Sequence, residues 1–401
     1  DASTEVAGSI DQPITVRAYF SEDLPPQLSQ TREQFQNFLE EFRVYSDNNL
    51  EYEFINPNKD EQSEQKAQQA GIRPVTIDVR ERDQISQKRA YLGAVFHYGE
   101  DKEVLPVIQP GASMEYTIAS TIKRLTIKNK PEIGVLQGHG EPSLSEMGQL
   151  RSQLSQMYEV TEVTGLDTAA VPPELELLMV VAPSEELSTD ELASVDQYIM
   201  SGGRAIFAVN RVQTNVQRGT ANVLDTGIEK LLAAYRLPVN GDLVRDAQSS
   251  RIQVRQQQGG FSFVNQVQYP YIPMVSNFSD HPISDGLETV VFQFVSSLDV
   301  TLTDTTQDVT VLAQSSDRAG IERGRFNLNP MREWSSGDFP QAHIPVAAIV
   351  EGAFNSAFAQ SDTVDAPLKR VGRNALMVVG DGDFVISGSG QGQQQQQRLP
   401  E

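Results

Sequence analysis

The sequence contains no cysteine, and this absence removes several classes of chemistry at once. Disulfide bonds, thiolate nucleophiles and cysteine-based metal sites are all excluded. The sequence also lacks the Gly-Lys-Ser/Thr loop that cradles nucleotide phosphates and the Gly-x-Ser-x-Gly turn that exposes a serine nucleophile. The chain therefore does not hydrolyse ATP by the P-loop route.

Histidine is scarce, and long apolar runs are missing. The four histidines are scattered, and no pair has the spacing of metal ligands. No run of about 18 apolar residues, the length that a transmembrane helix needs, occurs. Because the chain begins with Asp1 rather than methionine and stops behind a Gln tract, we expect a fragment whose membrane anchors lie outside it.

Basic residues are few relative to acidic ones. The 32 Lys and Arg residues against 54 Asp and Glu residues give a formal net charge of −22. Such a surface repels phosphate backbones, so we predict no nucleic-acid partner. The simplest explanation of the charge is solubility, and the alternative is an acidic docking face for a basic partner.

Residues 12–128 have the pattern of a small α/β domain. Strand-like runs alternate with segments whose apolar positions fall at helical spacing, and Gly71 is well placed to end a helix. The predicted order of elements is β-α-β-α-β-β-α, which is thioredoxin-like. That order indicates a fold class and carries no implication of redox chemistry.

Residues 131–390 have the pattern of a doubly wound α/β domain. The apolar run at 175–182 is typical of a strand covered on both faces of a parallel sheet. Helical segments alternate with such strands, which predicts β-α-β-α-β topology. We also predict an inserted hairpin near 250–268 and a Gln-rich tail or loop at 391–401.

A glycine-rich turn follows the first strand of this second domain. It contains Gly138, His139, Gly140 and Glu141, at the strand end where α/β sheets bind ligands. The third glycine of a dinucleotide-binding fingerprint is absent. His139 and Glu141 are candidates to polarise a water or bind an ion. The alternative is that the glycines allow a tight turn and His139 packs locally. We name these four as candidate ligand-binding residues and predict no catalytic role.

A second candidate turn follows a late core strand and contains Asp381 and Asp383, flanked by glycines. Two carboxylates near a strand end suit Mg²⁺ or Ca²⁺, and His139 is a conceivable third ligand. The alternative is an Asx-turn that closes a loop. The ligand set is too small for a convincing site, so we add both aspartates to the ligand-binding candidates and predict no metal and no cofactor.

Four segments in order resemble the GldG-type auxiliary proteins of ABC transporters, known from gliding-motility systems. They are Leu136-Gln137-Gly138-His139-Gly140-Glu141, the strand with Ala182-Pro183 and the helix behind it, Asp280-His281-Pro282-Ile283 with Phe294 to Leu298, and Val378 to Phe384. The resemblance covers roughly residues 12–390. It implies a soluble region between two membrane helices that works with an ATPase and a permease, on the extracytoplasmic (periplasmic) face.

The resemblance also implies that the second domain is similar to class I glutamine amidotransferases. In active enzymes of that fold, a cysteine stands on the sharp turn after a core strand. The corresponding turn here is Ala182-Pro183-Ser184, so we expect a non-enzymatic scaffold or binding protein. Two alternatives stay open: a hydrolase or transferase that uses His139, Glu141, Asp381 and Asp383, and a carbohydrate or peptide receptor that uses an interdomain cleft.

Overall fold

The computed structural model describes residues 6–8, 10–22, 24–81, 84–109, 111, 113–216, 218–258, 261–300, 307–359 and 369–386. The predicted Gln-rich segment at 391–401 lies outside these residues. The chain divides into two compact units, Asp1–Lys130 and Pro131–Glu401, which we describe separately. Both contain helices and strands, so the protein is of the α/β class.

Unit 1 alternates helices with strands along the chain. Its strands are β1 (Ile14–Phe20), β2 (Leu50–Ile55), β3 (Val75–Glu81), β4 (Gln84–Ala90), β5 (Leu92–Tyr98) and β6 (Asp101–Leu105). Its longer helices are α1 (Pro26–Tyr45), α2 (Glu61–Gln69) and α3 (Ser113–Thr126). β2, β1, β5 and β6 form a sheet in that order, with β1 parallel to β2 and antiparallel to β5.

The core of unit 1 follows from its apolar pattern. Phe35, Leu39 and Phe42 of α1 lie at helical spacing and are buried against the sheet. Gly71 follows α2 with φ +91°, a conformation that glycine adopts without strain. The sequence did not predict β4, which pairs with β3 in a separate hairpin. Its residues, Gln-Ile-Ser-Gln-Lys-Arg-Ala, are too polar to predict a strand.

Unit 2 contains a large mixed sheet and several smaller ones. Its strands are β7 (Glu132–Leu136), β8 (Glu159–Val163), β9 (Leu177–Val181), β10 (Arg204–Ala208), β11 (Val212–Asn215), β12 (Thr220–Val223), β13 (Asp242–Asp246), β14 (Ser249–Gln258), β15 (Phe261–Val275), β16 (Asn277–Phe278), β17 (Val290–Val291), β18 (Gln307–Gln314), β19 (Ala319–Arg323), β20 (Pro345–Asn355) and β21 (Val371–Val379). Its α-helices are α4 (Gly148–Leu154), α5 (Thr189–Met200) and α6 (Ile228–Ala234).

The large sheet has eight strands in the order β16-β18-β20-β21-β10-β9-β7-β8. The half from β21 to β8 is parallel, and β20, β18 and β16 continue it with antiparallel pairing. In β9, Leu178 and Val180 pack in the cluster with α5 and α6, whereas Met179 and Val181 pack with the α4 side. Helices therefore cover both faces of the parallel half, because successive strand residues point to opposite faces.

The inserted hairpin is longer than the predicted 250–268. β14 and β15 pair antiparallel from Ser249↔Pro273 to Gln258↔Phe261, with an irregularity between Ser249 and Arg251. β15 then continues to pair with β17. Among the described residues, none of the helices has both the length and the apolarity that crossing a bilayer requires.

Candidate functional site

The candidate residues lie at the carboxyl edge of the eight-stranded sheet. β7, β9, β10 and β21 run parallel, so the loops that follow them open at one edge. These loops carry His139, Ala182, Asn210 and Asp381, respectively. This edge is where open α/β sheets bind their ligands.

His139 stands between two carboxylates. Its Nε2 lies 2.9 Å from Oε1 of Glu191, and its Nδ1 lies 3.4 Å from Oε1 of Glu141. The imidazole is nearly inaccessible to solvent, and the Glu141 side chain is fully buried. We call His139, Glu141 and Glu191 the histidine cluster.

Two buried atoms of the histidine cluster make no hydrogen bond within the described part of the chain. They are Nδ1 of His139 and Oε1 of Glu141, which face each other. The other carboxylate oxygen of Glu141, Oε2, accepts the backbone N–H of His139 at 2.6 Å. Buried polar atoms without partners are rare, so the cluster has unused hydrogen-bonding capacity.

Glu191 is the cluster member that the sequence did not reveal as a site residue. It lies in the first turn of α5, where the Ser188 backbone N–H donates to its Oε2 at 2.8 Å, and its own N–H donates to the Ser188 hydroxyl at 3.3 Å. Burial raises the pKa of Glu191, but the hydrogen bonds from Ser188 and His139 outweigh burial and hold this pKa below its ordinary value. The Ser-x-x-Glu capping box was visible in the sequence, but its contact with His139 was not.

The two glycines of the turn have conformational and steric roles. Gly138 and Gly140 have φ of +119° and +75°, where other residues are strained. A Cβ at position 140 would collide with the Ser184 hydroxyl. The carbonyl oxygen of His139 accepts the N–H groups of Ser184 and Glu185, both at 2.8 Å. The turn is therefore docked on the segment that follows β9, and only glycine fits the close approach.

Ala182 occupies the sharp turn after β9. Its φ is +45°, which is uncommon for any residue other than glycine and costs about 1 kcal/mol or more. Its side chain is a methyl group, so it supplies no nucleophile. Gly382 packs against it closely: a Cβ at position 382 would lie 2.6 Å from the Ala182 Cβ and 2.7 Å from the Ala208 carbonyl oxygen. The position with positive φ therefore carries no reacting group, and its side chain is buried.

Asp381 and Asp383 belong to a loop that we call the aspartate loop, residues 380–383. Asp381 is fully buried; its Oδ2 accepts the Gln293 N–H at 2.6 Å and its Oδ1 accepts the Asp383 N–H at 2.7 Å. The Asn210 amide donates to Oδ1 of Asp383 at 2.9 Å, and its oxygen accepts the Gly382 N–H at 2.7 Å. The two carboxylates thus point to different partners.

Burial dominates the electrostatics of the aspartate loop. It raises the pKa of Asp381 to about 8, and the negative charge of Asp383 adds to this shift. Burial also raises the pKa of Asp383, which the hydrogen bond from Asn210 opposes. The raised pKa favours the protonated carboxyl, which is a poor ligand for a cation.

The structure brings Gly138, His139, Gly140 and Glu141 together with Glu191, and it keeps Asp381 and Asp383 apart from them. No hydrogen bond or ion pair between the two groups occurs in the described ranges. Among the same described residues, no group of three or more His, Asp and Glu side chains could hold a metal ion.

A cleft of about 1020 Å³ opens elsewhere in unit 2, between α5 and the segment that precedes β9. Ala169, Ala170 and Pro173 line one wall, and Ala193 and Tyr198 line the α5 wall. The hydroxyl of Tyr198 donates to the Leu175 carbonyl oxygen at 3.0 Å, which fixes the two walls together. The rest of the lining mixes apolar residues with polar ones, among them Asp190, Ser194 and Gln197.

Known proteins share parts of this chain. An uncharacterized protein from Borreliella burgdorferi is 23% identical over 283 residues, which are 68% of this chain and 54% of that protein. The chain therefore spans about half the length of the curated relative that it matches. Among solved structures, the mmIFT52 N-terminal domain is 15% identical, with 64% of this chain and 88% of that one covered and a TM-score of 0.39. A ThuA-like protein from Bacteroides uniformis is 11% identical, with coverages of 66% and 88% and a TM-score of 0.32.

Two family models match the chain. Residues 1–97 match a domain of unknown function. Residues 130–400, well over half of the chain and nearly all of unit 2, match the family described as ABC-type uncharacterized transport system. The chain therefore belongs to this family of auxiliary components of ABC-type transport systems.

Proposed function

We propose that this chain is the extracytoplasmic region of a membrane-anchored, non-catalytic auxiliary subunit of an ABC-type exporter, of the GldG type. The observation that carries the proposal is the family match over residues 130–400. The subunit would offer binding surface to a permease and an ATPase, anchored by segments outside this region. The proposal also links the subunit to gliding motility, and this link is its most specific part.

The chemistry of the sheet edge supports a non-catalytic role. The turn where the amidotransferase resemblance expects a nucleophile carries Ala182, whose methyl group packs closely against Gly382. The fully buried Asp381 is occupied by two backbone N–H donors. Neither residue has the exposure that a reacting group needs to meet a substrate.

The complex itself provides the main test. We expect a tagged full-length protein, extracted in mild detergent from its native membrane, to retain an ABC ATPase and a permease. An untagged strain processed in parallel is the control. Recovery of neither transporter component above that control contradicts the proposal.

The extracytoplasmic location needs a separate measurement. In intact cells of a strain with a permeabilised outer barrier, protease added from outside should cleave this region while a cytoplasmic marker stays intact. Protection of this region until the inner membrane is lysed contradicts the location. Deletion of the gene, followed by measurement of surface motility, tests the gliding link.

The hydrolase or transferase alternative rests on one observation, the facing unpartnered atoms of His139 and Glu141. Its test is a screen of the purified chain for ester, amide and glycoside hydrolysis, with a His139→Gln variant as the matched control. We expect no turnover by either protein. Turnover that the variant loses while it keeps its thermal stability would replace the scaffold proposal with an enzyme.

A further inference from the structure

The β14–β15 hairpin is exceptional in charge. None of the 54 acidic residues of the chain lies between Asp246 and Asp280, and the only charged residues in that interval are Arg251 and Arg255. Both arginines are exposed, and no ion pair among the described residues involves them. A chain with a net charge of −22 thus carries one long hairpin that is basic.

The two faces of the hairpin differ near its base. Ile252 and Val254 point to one face and are each 6% exposed, packed with Tyr269 and Tyr271 in a core cluster. The register pairs Arg251 with Gln268 and Arg255 with Val264, so these four residues share the opposite face. That face turns away from the core cluster and contains no acidic residue.

The hairpin exposes two consecutive apolar side chains of β15. Phe263 is 52% exposed and Val264 is 58% exposed. Because they are consecutive in a strand, their side chains point to opposite faces. A protein partner that docks on one face would cover only one of them. A medium that surrounds both strands at these positions covers both side chains.

We propose that the β14–β15 hairpin, through its described residues Arg251, Arg255, Phe263 and Val264, docks this chain on the anionic headgroup surface of a lipid bilayer. Charge complementarity selects the lipid, since basic side chains near an anionic bilayer strengthen binding by roughly fivefold each. Aromatic and aliphatic side chains enter the boundary between headgroups and acyl chains. At physiological ionic strength, salt largely screens the repulsion between the bilayer and acidic residues more than about 8 Å away from it.

Vesicle flotation tests the proposal with the 401-residue chain alone. At physiological ionic strength, vesicles of phosphatidylglycerol and phosphatidylethanolamine should carry the chain upward, and phosphatidylcholine vesicles should not. The Arg251→Gln, Arg255→Gln variant should bind the anionic vesicles about thirtyfold more weakly. The Phe263→Ser, Val264→Ser variant should lose about tenfold or more, since it removes the apolar contact.

A variant with the same change of charge elsewhere is the matched control. Arg318 and Arg325 are exposed in unit 2, outside the hairpin, and Arg318→Gln with Arg325→Gln should bind within about twofold of the parent. An equal loss in this control and in the hairpin variant would overturn the proposal, because net charge alone would then explain binding. Absence of binding to anionic vesicles also overturns it and leaves an acidic protein surface as the partner for the hairpin.

A conservative variant gives a signal that does not depend on affinity. In Phe263→Trp the aromatic group is kept, and its emission should shift to the blue when anionic vesicles are added. The parent, whose only tryptophan is Trp334, supplies the baseline. No additional shift in the variant contradicts insertion of the hairpin. These measurements involve no transporter component, so their failure is distinct from failure of the proposed function.

Discussion

The histidine cluster and the aspartate loop lie at the same edge of one sheet, yet their carboxylates behave in opposite ways. The pKa of Glu191 is held below its ordinary value, whereas the pKa of Asp381 is raised to about 8. Burial raises both pKa values. In Glu191 the hydrogen bonds from Ser188 and the nearby imidazole outweigh burial, whereas in Asp381 the backbone donors do not outweigh burial and the charge of Asp383. The balance between burial and the hydrogen-bond partners therefore decides the sign of each shift.

Removing the Asp381 carboxyl group should have the largest effect on stability. Asp381→Ala leaves the N–H groups of Gln293 and Asp383 without acceptors, so we expect the free energy of unfolding to fall by about 3 kcal/mol. Urea unfolding monitored by circular dichroism measures it. Asp167→Ala, in an exposed loop, is the matched control and should change stability by less than about 0.5 kcal/mol. Equal values for the two variants would show that the Asp381 contacts are dispensable.

Removing the imidazole should have a smaller effect. His139→Ala leaves the carboxylates of Glu141 and Glu191 without the group between them, and we expect a loss of about 2 kcal/mol in the same experiment. His343→Ala removes an exposed imidazole whose neighbour Asp317 is also exposed, and its effect should stay near zero. A stable His139→Ala variant would mean that solvent replaces the imidazole without loss.

The two groups should respond to pH in opposite directions. Asp381 has a folded-state pKa above its ordinary value of 3.8, so its contribution is full below about 4 and is lost as pH rises through about 8. Glu191 has a folded-state pKa below 4.5, so its contribution is present above that value and is lost as pH falls through the folded-state pKa. A single proton gives a slope of at most about 1.4 kcal/mol per pH unit.

Unfolding free energies measured from acid to mildly alkaline pH check this contrast. Asp381→Asn should flatten the decline between about pH 4 and pH 8, because residue 381 no longer titrates. Glu191→Gln should flatten the acid limb and leave that decline unchanged. If Asp381→Asn keeps the full slope of the parent, another group is responsible for it.

Divalent cations should have the smallest effect. A ligand that binds only the native state at a hundredfold excess over its Kd adds about 2.7 kcal/mol, which corresponds to several degrees in Tm. We expect melting curves in EDTA, Ca²⁺, Mg²⁺ and Zn²⁺ to overlap within about one degree, since the protonated Asp381 is a poor ligand. A rise of several degrees that Asp381→Asn with Asp383→Asn abolishes would reveal a cation site.

The sequence predicted the helices and strands whose own residues carry a recognisable pattern. The apolar run at 175–182 predicted β9, and the helical segments predicted between such strands include α5, whose capping box at Ser188 is formed. β8 was missed because Glu-Val-Thr-Glu-Val has two glutamates in five residues of an edge strand. The antiparallel extension through β20 and β18 was also missed, since pairing between strands distant in sequence leaves no local signal.

The sequence likewise predicted only some residues of the candidate site, because only those residues carry a local signal. The glycine turn and both aspartates were found because short motifs mark the ends of parallel strands. The partners that set their chemistry are far away in sequence: Glu191 lies 52 residues from His139, and Asn210 lies 173 residues from Asp383. Only packing brings them together. The composition of the whole chain showed its negative charge, but it did not show that the β14–β15 hairpin contains no acidic residue.

Helix α5 has a mechanical consequence for unit 2. Its 12 residues span about 18 Å, and it is fastened near both ends, by Glu191 to the glycine turn and by the Tyr198 hydroxyl to the Leu175 carbonyl. Seven of these residues are buried in the core, so the helix is a fixed element rather than a movable one. The glycine turn and one wall of the cleft are therefore held at a set separation by a single rigid spacer.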